Sequence, residues 1–217
     1  MAKNKYIKTI HAGNMVWQVC YVKNLASDTK KERAAKTLHS SEARKRLNFR
    51  TAWQKLQLIL LENFVKGDLW ITLTYDDEHL PENRKAAKKV VQGFIDKMRA
   101  ARRSSADEFR YVYVTQELLE DGGKRLHHHL VLNTANDKKD FELIKSLWAG
   151  GANVEICFLG ENKLYGDDLI EIAQYMCHER DPDASVHNVG DKCWCGSRNL
   201  RKPQITCELV DEAALLR

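Results

Sequence analysis

Proline is scarce, with three residues in a chain of 217, and no stretch rich in glycine, serine or proline interrupts it. No internal repeat is present either. A flexible linker between independent domains is therefore not expected. The chain reads as one compact unit, in which residues 1–66 form a basic strand-and-helix extension packed on a core of residues 67–217. Long apolar runs are missing too. None approaches the ~20 residues that span a bilayer, so a helical membrane protein is excluded. The basic start, MAKNKYIKTI, has no apolar stretch behind it, so a secretory signal is not expected and residence in the cytosol is. Cysteine is present but unpatterned. The six at 20, 157, 177, 193, 195 and 207 lack the spacing of a disulfide framework and read as free thiols.

Charge is abundant and uneven. Residues 1–60 hold 13 Lys and Arg against the three acids Asp28, Glu32 and Glu42, a net of +10. The other 157 residues hold 22 against 27, a net of −5. A basic third of this kind suits a phosphate backbone, where each neutralised phosphate releases counterions. Arg44, Arg46 and Arg50 lie in it.

Periodicity supplies the elements. Residues 15–23 read as a strand. Ser41 can cap a long helix whose Phe49, Trp53, Leu56, Leu60 and Phe64 recur at helical spacing, and Gly67 ends it. Strands at 69–75, 109–117, 125–133 and 152–158 then alternate with helices at 82–103, 138–148 and 167–179. This is an α+β order, β-α-β-β-α-β with a trailing helix. It predicts a ferredoxin-like (RRM-like) antiparallel sheet with helices packed on one face.

Side chains alternate across a strand, so each strand can be split by parity. One face is expected to gather Leu69, Ile71, Leu73, Val112, Val114, Leu126, Leu130, Leu132, Val154, Ile156 and Phe158 as an aliphatic core. The other gathers Trp70, Thr72, Thr74, Tyr111, Tyr113, Thr115, Glu117, His127, His129, Asn133, Asn153 and Glu155. A polar and aromatic face in a basic chain suggests a platform where bases stack while a metal holds a phosphate.

His127 and His129 are two apart on a strand, about 7 Å at the backbone and on one face, which suits two ligands of one ion. His128 must point to the core and take a structural role. Glu117 can supply a third ligand only if the register allows it. A two-residue turn at Gly122-Gly123 would set it opposite His128. A longer loop or a bulge within Leu119 to Arg125 is therefore expected, pairing Glu117 with His127 or His129. Two imidazoles and a carboxylate leave positions open for water and a phosphate oxygen, and phosphate chemistry points to Mg²⁺ or Mn²⁺. On the last helix Leu169, Ile172, Ala173 and Met176 form the buried stripe. Tyr175 stands off it, beside Glu171, His178 and Glu179, so its phenol can face the metal and act as a nucleophile.

These residues together resemble the HUH endonucleases, and specifically the bacterial rolling-circle replication-associated proteins. WITLTYDDEHLP at 70–81 is similar to the first motif of that family, YVTQE with RLHHHLVLN to the acid plus the His-x-His motif, and IAQYMCHE to the tyrosine motif. The long helix ending NFVKGDLW and the SRNLRKP segment at 197–203 are also similar to the bacterial subgroup. The resemblance covers most of the chain from about residue 40. It implies a replication initiator of a plasmid, phage or related element in the bacterial cytosol. His127, His129 and Glu117 would be metal ligands and Tyr175 the nucleophile that keeps a 5′ phosphate and releases a 3′ hydroxyl. It also implies a single-stranded DNA origin or hairpin as substrate, with a host helicase and polymerase as partners. Trp70, Thr72, Thr74, Tyr111 and Tyr113 on the sheet, with Arg44, Arg46, Arg50 and Arg198, are the expected DNA contacts.

Three positions depart from the family pattern. His128 replaces a bulky apolar residue, His178 stands where a lysine is usual, and Glu179 occupies the place of a second tyrosine. Two rival readings remain: a nonenzymatic RRM-like binder of single strands, and a structural zinc site built from Cys177, His178, Cys193 and Cys195.

Overall fold

The computed structural model describes residues 4–23, 41–103, 108–118, 124–135, 137–151, 154–160, 166–184 and 192–210. The loop at 119–123 and Asn153 lie outside the described residues.

The central layer is a five-stranded antiparallel sheet. Its strands are β3 (Leu69–Thr74), β4 (Tyr111–Leu118), β5 (Lys124–Leu132), β6 (Val154–Phe158) and β7 (Cys195–Gly196), in the order β6-β3-β5-β4-β7. The α+β class and this central sheet are as expected. Helices α2 (Arg84–Ala101) and α3 (Asp137–Leu147) close one face. There Ala87, Val91, Phe94, Ile95 and Met98 of α2 meet Leu69, Ile71, Leu73, Leu130 and Leu132 of the sheet. Each such side chain contributes ~1.5–3 kcal/mol when fully buried.

The second face is covered as well. Helix α1 (Glu42–Asn63) and helix α4 (Ile170–Cys177) bring Leu56, Leu60, Ile172, Ala173 and Met176 onto Trp70, Val112, Val114 and Val131. The expectation of helices on one face is thereby extended, because α1 buries an apolar stripe and cannot leave it in water. Capping defines where these helices begin. Ser41 Oγ accepts from Arg44 N at 3.3 Å, and Asn83 Oδ1 accepts from Ala86 N at 3.0 Å.

Register corrects the expected parity of β4. Tyr111 pairs with Leu132 and Tyr113 with Leu130, which puts both tyrosines on the α2 face. Val112 and Val114 go to the α1 and α4 face instead. The run Tyr-Val-Tyr-Val is apolar on both sides, so alternation alone cannot orient it. Pairing with β5 does.

A smaller sheet joins the two ends of the described chain. Strand β1 (Asn4–Ala12) pairs antiparallel with β2 (Met15–Lys23) on one side and β8 (Gln204–Leu209) on the other. Only β2 of these three has a clear strand signal in the sequence.

Candidate active site

Three consecutive histidines on β5 have three different surroundings. His128 points into the α2 face, where Tyr75 Oη lies 2.6 Å from its Nε2 and Thr115 Oγ1 lies 3.0 Å from its Nδ1. Both ring nitrogens are partnered and burial pushes its pKa down to about 3, so it is a neutral structural residue.

His127 and His129 point to the opposite face, with ring centroids 4.8 Å apart. His127 Nδ1 donates to the Arg125 carbonyl at 2.8 Å. His129 Nδ1 lies 3.2 Å from Thr72 Oγ1, and its ring stacks on Trp70 at 5.1 Å and 3°. A proton on each Nδ1 leaves each Nε2 as a lone pair, and His129 Nε2 is buried with no hydrogen-bond partner. Burial holds both imidazoles below the usual histidine range, so they are neutral ligands at neutral pH.

Tyr175 meets this pair from α4. Its half-buried ring stands edge-on to His129 at 4.8 Å and 77°. Both ends of the helix are fixed. Leu169, buried, enters it in the left-handed conformation with φ 54°, and Gln57 Nε2 of α1 donates to the Asp168 carbonyl at 2.8 Å. At the other end Gln116 Nε2 donates to the carbonyls of Tyr175 at 3.0 Å and Met176 at 3.3 Å.

The bulge expected near the β4–β5 turn exists, but between Gln116 and Leu118, and it sets Gln116 rather than Glu117 opposite His127. The Glu117 carboxylate lies 3.3 Å from Arg84 Nε instead. Arg84 Nη2 also pairs at 2.8 Å with the buried Glu179, whose Oε1 accepts from Glu117 N. Among the described residues no three His, Cys, Asp or Glu side chains converge on one metal position. The expected triad of His127, His129 and Glu117 is therefore not assembled.

Gln116 is the residue that sequence reading missed. It is fully buried, and its two carbonyl acceptors fix which end of the amide is nitrogen, so the unpartnered Oε1 is an oxygen acceptor on the histidine face. Two neutral imidazoles and an amide oxygen fit a divalent cation that also takes water or phosphate oxygens. The signal in the sequence was the adjacency of Gln116 to Glu117. A one-residue bulge exchanges the two.

His178 follows Tyr175 by one turn, with ring centroids 5.3 Å apart. Its Nδ1 donates to the Tyr175 carbonyl at 2.6 Å, so its contact with the donor Gln116 Nε2 at 3.0 Å is a shared approach to one acceptor. That tautomer leaves Nε2 basic.

The expected DNA contacts are scattered. Trp70 is buried under His129 and Thr72 is bonded to it, so both position the histidine and neither forms an open platform. Thr74 pairs with His127 across the sheet. Tyr111 and Tyr113 face α2. Arg44, Arg46 and Arg50 are exposed on α1, Arg46 lying 3.5 Å from Asp183, and Arg198 is exposed beyond β7. The cysteine reading finds no support: Cys177 and Cys193 share a thiol hydrogen bond, and with Cys195 they are part of no metal cluster among the described residues.

A family model for the replication-associated protein ORF2 matches residues 68–178, just over half of the chain. No curated protein and no solved structure matches significantly. The matched stretch runs from the residue before β3 to His178 and contains the histidine pair, Gln116 and Tyr175. The chain belongs to this family of replication-associated proteins, a family of rolling-circle replication.

Proposed function

We propose that this replication-associated protein is an endonuclease that nicks single-stranded DNA at an origin or hairpin, with Tyr175 as the nucleophile. The observation that carries the reading is the Tyr175 ring packed 4.8 Å from His129, beside two buried acceptors, His129 Nε2 and Gln116 Oε1, that have no hydrogen-bond partner.

His127 and His129 would hold Mg²⁺ or Mn²⁺, with the Gln116 oxygen in the place expected of Glu117. When bound, that cation would polarise the scissile phosphate and offset charge gathering on its oxygens. The chain's own groups do the rest. His178, protonated on Nδ1, accepts the phenol proton of Tyr175 on Nε2. The phenolate oxygen bonds to phosphorus and the bond from phosphorus to the 3′ oxygen breaks. The 3′ oxygen takes a proton from solvent and leaves as a hydroxyl, and the 5′ phosphate stays on Tyr175. A host helicase and polymerase would then use that 3′ end. The rival reading, a nonenzymatic binder using an open aromatic sheet face, lacks its platform because α1 and α4 cover the Trp70 side and α2 covers Tyr113.

The test incubates the full chain with single-stranded oligonucleotides drawn from a hairpin near its own gene, with Mn²⁺ or Mg²⁺, followed by a denaturing gel. A slower covalent protein–DNA band is expected, absent in EDTA and in Tyr175→Phe. Cleavage without an adduct, or an adduct in Tyr175→Phe, contradicts the proposal.

A further inference from the structure

At the end of β4 remote from the histidines, a cleft of about 900 Å³ opens between the last turn of α2, the start of β4 and the segment after β7. Arg99, Arg102, Arg103, Phe109, Tyr111 and Arg198 line it. Tyr111 is five residues from Gln116, roughly 17 Å along the strand. The volume is that of a ligand site, which runs to about 300–1,000 Å³.

The four arginines differ in what they have left to offer. Arg102 is buried on Asp140 at 2.6 Å and donates to the Asn133 carbonyl, so its charge serves the fold. Arg99 is exposed, shared between Asp96 at 2.5 Å and the Tyr111 hydroxyl at 3.2 Å. Arg103 and Arg198 are exposed and have no ion pair among the described residues. The cleft's carboxylate, Glu108, accepts from Asn199 Nδ2 at 3.2 Å. Arg201 and Lys202, next along the same segment as Arg198, are exposed too.

The wall is built in advance. Ser197 N donates to the Tyr111 carbonyl at 3.0 Å, and Ser197 Oγ accepts from Tyr111 N at 3.3 Å, which ties the segment bearing Arg198 to β4. Arg99 lies over the Tyr111 ring at 5.9 Å and Arg102 over Phe109 at 5.3 Å, so the guanidinium of Arg99 is oriented by its ring as well as by its ion pair. Unpaired arginines on a fixed concave wall are the chemistry of phosphodiester recognition.

We propose that this cleft is a second binding site for single-stranded DNA, separate from the tyrosine site, in which Arg103 and Arg198 take phosphates of the flanking strand. The phosphate chemistry stands on the cleft alone, while the choice of single-stranded DNA rests on the proposed nicking function.

The test uses the full chain in EDTA, so that no cleavage occurs, and reads fluorescence anisotropy of labelled dT20 across a KCl series. Arg103→Glu with Arg198→Glu is expected to weaken binding tenfold or more at 100 mM KCl. Removing two phosphate contacts should also flatten the slope of log affinity against log salt by about 1.4, at ~0.7 per phosphate of a single strand. Arg103→Gln with Arg198→Gln should flatten the slope similarly, which covers a failure of the glutamate variant to fold. The equal charge change Lys66→Glu with Lys145→Glu, away from the cleft, should cost less than threefold, and millimolar dTMP should not displace dT20. Four results overturn the proposal: unchanged affinity and slope in the arginine variants, an equal loss in the lysine variant, displacement by micromolar dTMP, or no binding of dT20 by the unaltered chain. No metal and no tyrosine chemistry enters this assay, so a failure to form the covalent adduct leaves it standing.

Discussion

Gln116 ties the histidine face to the tyrosine helix. Its nitrogen is spent on the carbonyls of Tyr175 and Met176, which leaves its oxygen for the space that the histidines share. Replacing it by alanine removes both the tether and the oxygen. Groups that orient ligands or supply one typically cost about 10–100-fold when lost. Gln116→Ala should therefore slow adduct formation by at least tenfold while the far-ultraviolet circular dichroism is unchanged, and an unaltered rate would remove Gln116 from the site. The histidine pair itself was legible in the sequence, since a spacing of two on a strand fixes one face whatever the tertiary fold. The separate role of His128 was legible for the same reason. Gln116 was not, because a bulge is decided by how the 111–132 hairpin closes, and nothing in YVTQE records that.

At the scale of elements, the ends of α2 and α4 are held together by charge. Arg84 at the start of α2 pairs with the buried Glu179 just past α4, and also reaches Glu117 on the bulge. Removing the guanidinium would leave a buried carboxylate without its counterion, a change that costs roughly 3–5 kcal/mol in deep sites. Arg84→Ala should lower unfolding free energy by about 2–4 kcal/mol in urea, the smaller end reflecting that Arg84 is 13% exposed. A loss below ~0.5 kcal/mol would show the pair to be of the weak surface kind. The amphipathic stripes of α1, α2 and α4 were readable, and so were their boundaries to within a few residues. The orientation of β4 was not readable, because tyrosine and valine are equally at home in a core and only Leu130 and Leu132 across the ladder choose between them. The cluster of Arg84, Glu117 and Glu179 was invisible for a related reason, since charges 33 and 62 residues apart carry no mutual signal in sequence.

At the scale of the whole molecule, the sheet is closed on both faces, and three adjacent histidines are buried within it as neutral groups. Their folded pKa values lie below the unfolded value near 6.5, with burial the first cause in each. The unfolded chain therefore takes up protons that the folded chain refuses. Stability should be level above about pH 7 and fall as pH drops below about 6.5, by up to ~1.4 kcal/mol per pH unit for each fully neutral histidine. For His128 that decline continues toward its value of about 3. Urea midpoints in EDTA at pH 7.5, 6 and 5 should decrease in that order, and equal midpoints would contradict the neutral burial of the histidines. The small sheet of β1, β2 and β8 lay largely outside what sequence could show, since β1 and β8 find their partners only when the two ends of the described chain meet.

The central claim is that Tyr175 becomes covalently joined to DNA. Tryptic digestion of the purified adduct, followed by nuclease trimming and tandem mass spectrometry, reads this most directly. The relevant peptide, LYGDDLIEIAQYMCHER at 164–180, also contains Tyr165, so fragment ions must separate the two tyrosines. The account predicts a nucleotide-bearing phosphate on Tyr175; the same mass on Tyr165, or on any other peptide, would contradict it.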